Sequence, residues 1–264
     1  MKFYPSQLKT YLQCPYKYHV FYVERRSREF RISTPALSFG RSVHNALRAF
    51  YEGGAFRRYS ENDLKELLQA NWQADGFADE AGSQAAQSEA LELLQGYYAR
   101  ARGHPARPVA LEKNLEAVFD LDGEPLVLGG RLDRLDRQPE GGLVVVDYKT
   151  GRSETADAYH LKRDLATIIY SLVVLWRYPG ASVASVRYIL LRRDMDVAVS
   201  LTEEEMDTGL EHIRRIAREI KARGDFPTVA NPLCPWCGIQ IKGQCPSYVD
   251  NPLPTPGQPE PPEE

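Results

Sequence analysis

Residues 142–151 read GLVVVDYKTG: a leucine and three valines run without a break into Asp147, Tyr148 and Lys149, and the stretch stops on a glycine. β-Branched residues favour strands, and an uninterrupted apolar run marks a strand buried on both faces. Such a strand is costly to end on a carboxylate and an ammonium, because each charge gives up water on burial. Residues two apart in a strand share a face, so Asp147 and Lys149 project to one side and Tyr148 to the other. The segment requires a core sheet whose strand opens at its end onto a polar site.

The flanking segments supply the layers of an α/β fold. Ser6 caps a helix running into LKTYL, and CPYKYHVFYV after it is helical and amphipathic. LSFGRSVHNALRAFYEGG has apolar residues at three- and four-residue spacing and ends on paired glycines, which predicts a helix carrying His44. Two further helices are expected near residues 60–75 and 84–102. The pattern then switches to strands: PVALEKNLEAVFDLDG, a turn at Asp122-Gly123, EPLVLGGRLDRLD, a second turn, and LVVVDY. One amphipathic helix around LKRDLATIIYSLVVLWRY follows, then strands SVRYILLRR and VAVSL, then a long helix opened by the capping box Thr202 to Glu205. This predicts one domain over residues 1–249: a helical part (1–105), a core with a mixed sheet (106–201), and a helix with a cysteine cluster (202–249). The Pro/Glu-rich residues 250–264 read as a disordered tail.

With 43% hydrophobic and 26% charged residues, the 264-residue chain has ample material for a core. No apolar stretch approaches the roughly 18 residues of a membrane span, and the amino terminus has tyrosines and charges where a signal peptide is apolar, so a cytoplasmic location is expected. A formal net charge of −3 rules out nucleic-acid binding by bulk positive charge and leaves a local patch. Arg25, Arg26, Arg28 and Arg31, with Arg192 and Arg193, are the candidates. Solvated arginines with no ligand are the plainer reading of either cluster.

The strand order puts GGRLDRLD beside LVVVDYKTG, so Asp133 and Asp147 can occupy neighbouring positions. Two carboxylates held together repel unless a cation lies between them, and hard divalent ions prefer such oxygens. A lysine on the same face can orient or deprotonate a water, or neutralise charge developing on a phosphate. The pattern suits metal-assisted phosphodiester hydrolysis; a strand-end ion pair of Asp147 with Lys149 is the alternative. Glu112, on the preceding strand, either supports a second metal or is a surface glutamate.

FGRSVHNAL, GGRLDRLD and VVVDYKTG, in this order and followed by a tyrosine-bearing helix, resemble the PD-(D/E)XK nucleases of the RecB-like branch. The resemblance implies a restriction-endonuclease-like core, with His44, Asp133, Asp147 and the carbonyl of Tyr148 as metal ligands and Asp133, Asp147 and Lys149 as catalytic residues. A neutral imidazole beside carboxylates suits Mn²⁺ as well as Mg²⁺. Two positions depart from the pattern. Leu132 stands where the family has proline, and Ala166 stands where the later motif has a glutamine four residues before Tyr170. Tyr170 is then a DNA contact or a core residue.

Cys234, Cys237 and Cys245 cluster near the end of the chain, and the remaining cysteine, Cys14, lies near its start. Four thiolates converging on a point suit a Cys₄ zinc site or a [4Fe-4S] cluster, and spacing does not choose between them. The resemblance does: AddB-type nuclease domains and the CRISPR adaptation exonucleases hold an iron-sulfur cluster with one amino-terminal and three carboxy-terminal cysteines, although the seven-residue final gap is longer here. Tying the two ends together would act as a clasp, stabilising by roughly 5 kcal/mol by analogy with a disulfide.

The resemblance implies an exonuclease on single-stranded DNA, in repair, recombination or CRISPR adaptation, with a helicase or CRISPR integrase proteins as partners. A rival is a weakly catalytic or non-catalytic iron-sulfur DNA-binding module of such a complex, which Ala166 favours and the retention of His44, Asp133, Asp147 and Lys149 opposes. A redox role has no nucleotide-binding glycine loop to support it.

Overall fold

The computed structural model describes residues 1–103, 106–152, 154–181 and 184–247. The tail expected to be disordered, with residues 248–249 before it, lies outside them.

Six strands form one mixed sheet. β2 (Pro108–Leu121) and β3 (Glu124–Arg137) make a long antiparallel hairpin whose tight turn places Asp122 and Gly123 at positive φ. The other edge of β3 is divided. A two-residue strand, β1 (Lys2–Phe3), pairs parallel with Val127 and Leu128, and β4 (Leu143–Lys149) pairs antiparallel with residues 134–137. Between these two partners lie Gly129, Gly130, Arg131, Leu132 and Asp133. The glycines admit close neighbours: a Cβ on Gly129 would stand 2.8 Å from the ring of Tyr4, and one on Gly130 would stand 2.8 Å from the ring of Tyr170. β4 continues parallel to β5 (Ala184–Leu190), and β5 pairs antiparallel with β6 (Met195–Ser200). All of β4 is buried except Lys149, as its composition predicts.

Helices cover both faces. α1 (Pro5–Gln13), α7 (Leu165–Arg177) and α8 (Glu203–Ala222) pack on one; α3 (Pro35–Glu52), α4 (Glu61–Ala70) and α5 (Glu80–Ala101) pack on the other. Period two along β4 divides its side chains between the two cores: Leu143 and Val145 join the first, and Val144, Val146 and Tyr148 join the second. The capping box on α8 forms as expected, with Thr202 Oγ1 accepting from Glu205 N at 3.1 Å and Glu205 Oε2 accepting from Thr202 N at 2.9 Å.

Three local expectations change. α1 begins one residue before Ser6, at Pro5, whose fixed φ suits the first helical position, and Gln7 caps it by accepting from Tyr4 N at 2.8 Å. The segment after it is a short helix, α2 (Pro15–Tyr18), running into a π-helical turn at His19–Val23. The single helix expected after β4 is two, α6 (Ala158–Arg163) and α7, because Asp164 takes extended backbone and its carboxylate caps α7 through Ala166 N at 2.7 Å. Among the described residues no helix is long and apolar enough to cross a membrane.

Candidate active site

Asp133 sits where the β3–β4 ladder stops, one step beyond the pairing of Arg134 with Val146, which sets it opposite Asp147. On its other side the β2 register, Leu111 with Arg134 and Lys113 with Leu132, sets it opposite Glu112. Three carboxylates therefore lie in a row across three adjacent strands. α3 lowers His44 onto the middle one, with Nδ1 3.3 Å from Asp133 Oδ1, and the second oxygen of Asp133 accepts from Tyr148 N at 2.9 Å. Donor atoms of His44, Glu112 and Asp133 lie within 4.8 Å of one another, a nitrogen and two oxygens spaced to hold a divalent cation.

Glu112 is the member that sequence reasoning underweighted. Its side chain is 14% exposed and accepts from Arg131 Nε at 2.8 Å, so it is not a free surface glutamate. Its backbone is left-handed, φ 45°, a strained conformation for a non-glycine residue within a strand. Alternating polarity along β2 carried no sign of that kink. Asp147, by contrast, lies outside the close trio and meets Lys149 Nζ at 3.3 Å.

The charges are strongly coupled. Burial works against a charge on His44, but Asp133, Asp147 and Glu112 outweigh it and hold the imidazolium's pKa at about 9. Burial also opposes the charge on Asp133, yet His44, the Tyr148 N–H and Lys149 keep it below the usual carboxylate range. Asp147 is pushed up by burial and by the charge of Asp133, with Lys149 only partly offsetting them. Lys149 resists the pull of burial through Asp147 and Glu154 and stays above the ordinary lysine value. With this ion pair intact Lys149 is an ammonium, suited to orienting a water or balancing phosphate charge rather than to taking a proton.

The side chain of Tyr148 turns away, as expected. Its hydroxyl accepts from Arg134 Nη1 and lies 3.3 Å from the Tyr97 hydroxyl. The contacts of Tyr170 are those of the packing role: the ring lies over Gly130 and the hydroxyl donates to the Arg131 carbonyl at 3.3 Å, bracing the strand beside Asp133. Ala166, in place of a glutamine, is 8% exposed in the first turn of α7.

The arginines divide. Arg192 is held by Glu89 and the Thr150 carbonyl, stacks 4.6 Å from the Phe39 ring and is 11% exposed, so its guanidinium braces the end of β5 and is not free for DNA. Arg26 is engaged by Glu24 and Glu29. Arg25 and Arg28 are exposed, and Arg31 lines a cavity of about 740 Å³ that contains His44, Asp133, Asp147 and Lys149. Arg41 and Arg131, which sequence reasoning did not single out, line it too.

The four cysteines come together from both ends of the chain around a separate hollow of about 480 Å³, and none forms a disulfide. Cys14 occupies the break between α1 and α2, where Pro15 forces the residue before it into extended backbone. Gly238, opening α9 (Gly238–Ile241), lies so close to Phe30 that a Cβ would stand 1.8 Å from the Phe30 carbonyl oxygen. That contact seats the carboxy-terminal cysteines against the loop after the π turn.

The fold has a solved counterpart. A protein from Eubacterium rectale named "Putative exonuclease" superposes with a TM-score of 0.53 at 12% identity, over 96% of this chain and 92% of that one. The crystal structure of SSO0001 is 18% identical over 90% of this chain and 100% of that one, at a TM-score of 0.40. The sequence matches the family model of the PD-(D/E)XK nuclease superfamily over residues 2–246, which is nearly the whole described chain, and the protein belongs to that superfamily.

Proposed function

We propose that this protein is a Mn²⁺- or Mg²⁺-dependent exonuclease acting on single-stranded DNA, with a [4Fe-4S] cluster held by Cys14, Cys234, Cys237 and Cys245. The row Glu112–Asp133–Asp147, with His44 above it and Lys149 at its end, carries the reading. A divalent ion bound there supplies Lewis acidity toward the scissile phosphate and a water of lowered pKa. Around it, His44, Asp133 and Glu112 present the donor atoms, with Asp147 and the Tyr148 carbonyl completing the ligand set in this reading. Asp147 fixes the Lys149 ammonium where it can orient the attacking water and balance charge on the phosphate. Arg31, Arg41 and Arg131 line the same cavity and are placed for backbone phosphates, while Phe21 and Trp236 offer faces on which unpaired bases stack. Exposed Arg25 extends the basic edge.

The resemblance favours iron-sulfur over zinc, and the four thiols gathered from both ends of the chain suit either group. Asn231 N donates to Cys234 Sγ at 3.3 Å, an N–H partner of the kind that tunes cluster thiolates. The cluster would tie α1 to the carboxy-terminal segment as a clasp beside the cavity.

Protein purified without oxygen, given Mn²⁺ and DNA labelled at either end, tests the reading. Stepwise shortening of single strands and sparing of blunt duplexes and closed circles is expected. Cutting of closed circles alone would remove the exonuclease assignment, and binding without cutting would favour a DNA-binding module in a helicase or integrase complex.

A further inference from the structure

On the face of the sheet covered by α3 and α5, where α5 ends against β3, β5 and β6, lies a third cavity of about 790 Å³. Arg100, Arg107, Arg134, Arg137 and Arg187 line it, against two carboxylates, Asp136 and Asp196. Both carboxylates are already used: Asp136 accepts from Arg134 Nε at 3.0 Å, and Asp196 accepts from Arg100 Nη1 at 3.1 Å. Among the described residues Arg107, Arg137 and Arg187 take part in no ion pair, so three uncompensated guanidinium groups border one hollow in a chain of net charge −3.

The floor of the cavity is built rather than incidental. Arg134 is 3% exposed, its guanidinium lies 4.1 Å from the centre of the Tyr51 ring, and its Nη1 reaches the Tyr97 hydroxyl at 3.0 Å and that of Tyr148. Among the described residues the hydrogen bonds of this guanidinium use Nε and Nη1, which leaves Nη2, not one of the fully buried unpartnered donors, facing accessible space. Like charges around a cavity repel, so an anion there relieves the repulsion and gives Nη2 an acceptor. Guanidinium forks match phosphate geometry and favour a dianion, and the volume lies within the roughly 300–1,000 Å³ of small-molecule sites. This cavity shares no lining residue with the one that holds His44 and Asp133, so it is not the place of a scissile phosphate.

We propose that this cavity binds a phosphate monoester, carried by a free nucleotide or by the end of a nucleic-acid strand, with Arg134 Nη2, Arg137 and Arg187 as donors. The nuclease reading is not needed for it. Titration calorimetry on the full chain in divalent-free buffer tests it with thymidine 5′-monophosphate, thymidine, and oligothymidylate with and without a 5′-phosphate. The monophosphate is expected to bind and thymidine not to. Arg187→Gln and Arg137→Gln should each weaken binding by about tenfold, while His44→Ala leaves it unchanged. Arg137 is exposed and unpaired, so its variant folds even if Arg187→Gln does not. Preference for the phosphorylated oligonucleotide assigns a strand end, and preference for the mononucleotide a free ligand. Absence of phosphate-dependent binding, or binding lost in His44→Ala but kept in Arg137→Gln, would overturn the proposal.

Discussion

Tyr148 N donates to one oxygen of Asp133 at 2.9 Å while the other oxygen stands 3.3 Å from His44 Nδ1, so a single carboxylate ties β4 to α3. Asp133→Asn keeps an oxygen for the amide and loses the negative charge. Activity with Mn²⁺ should fall by more than about 100-fold with little change in melting temperature, since a metal ligand matters more than its outer partners. Parallel turnover assays and melting curves check this. An active Asn variant would mean that Asp133 does not hold the metal.

His44 gives the metal-free protein a pH signature. Its pKa is raised to about 9, so the stabilisation from its pairing with Asp133 is complete below pH 6.5 and lost as pH rises through about 9. A cation that takes the imidazole nitrogen must displace that proton. Apparent Mn²⁺ affinity is therefore expected to rise by about tenfold per pH unit between about 7 and 9 and then level off. Calorimetry in buffers of differing ionisation enthalpy reads the proton released; a flat affinity over this range removes His44 from the ligand set.

Arg134 and Asp136 form a buried pair, 4% and 7% exposed at the side chain. Arg134→Met leaves Asp136 buried without its partner and removes the donor of the Tyr148 and Tyr97 hydroxyls. A loss of about 3–5 kcal/mol in urea unfolding is expected. A loss under 1 kcal/mol would show that the pair is not worth its burial.

At the cysteine end, Gly238→Ala forces a methyl group into the Phe30 carbonyl and should lower the melting temperature and, with it, occupancy of the proposed iron-sulfur cluster. Cys14→Ala should abolish the brown absorbance that the proposed [4Fe-4S] cluster would give. Normal absorbance and melting in Cys14→Ala would show that this thiol is not a ligand.

The sheet's centre and the order of its motifs were legible because a run of valines ending in Asp-Tyr-Lys admits few placements. The capping box at Thr202 was legible for the same reason: its chemistry is local. β1 was not, since two residues carry no periodicity and pair only because β3 is long enough to have a free edge. Glu112 stayed undecided between a metal ligand and a surface residue because its place in the site depends on a left-handed residue inside a strand. Arg192 is a candidate for DNA or a solvated arginine in the sequence because charge there says nothing of burial; only the fold shows it locked between Glu89 and Thr150. The arginine-lined cavity was equally hidden, as its members come from α5, β3 and β5 and from the segment before β2.

Digestion of end-labelled single-stranded DNA by wild type and Asp147→Ala, each titrated with Mn²⁺ from none to saturation, tests the site most directly. Cutting that follows Mn²⁺ in wild type and is absent at every concentration in Asp147→Ala is the expected result. Equal cutting by both proteins would place the chemistry away from the row of carboxylates and contradict the assignment.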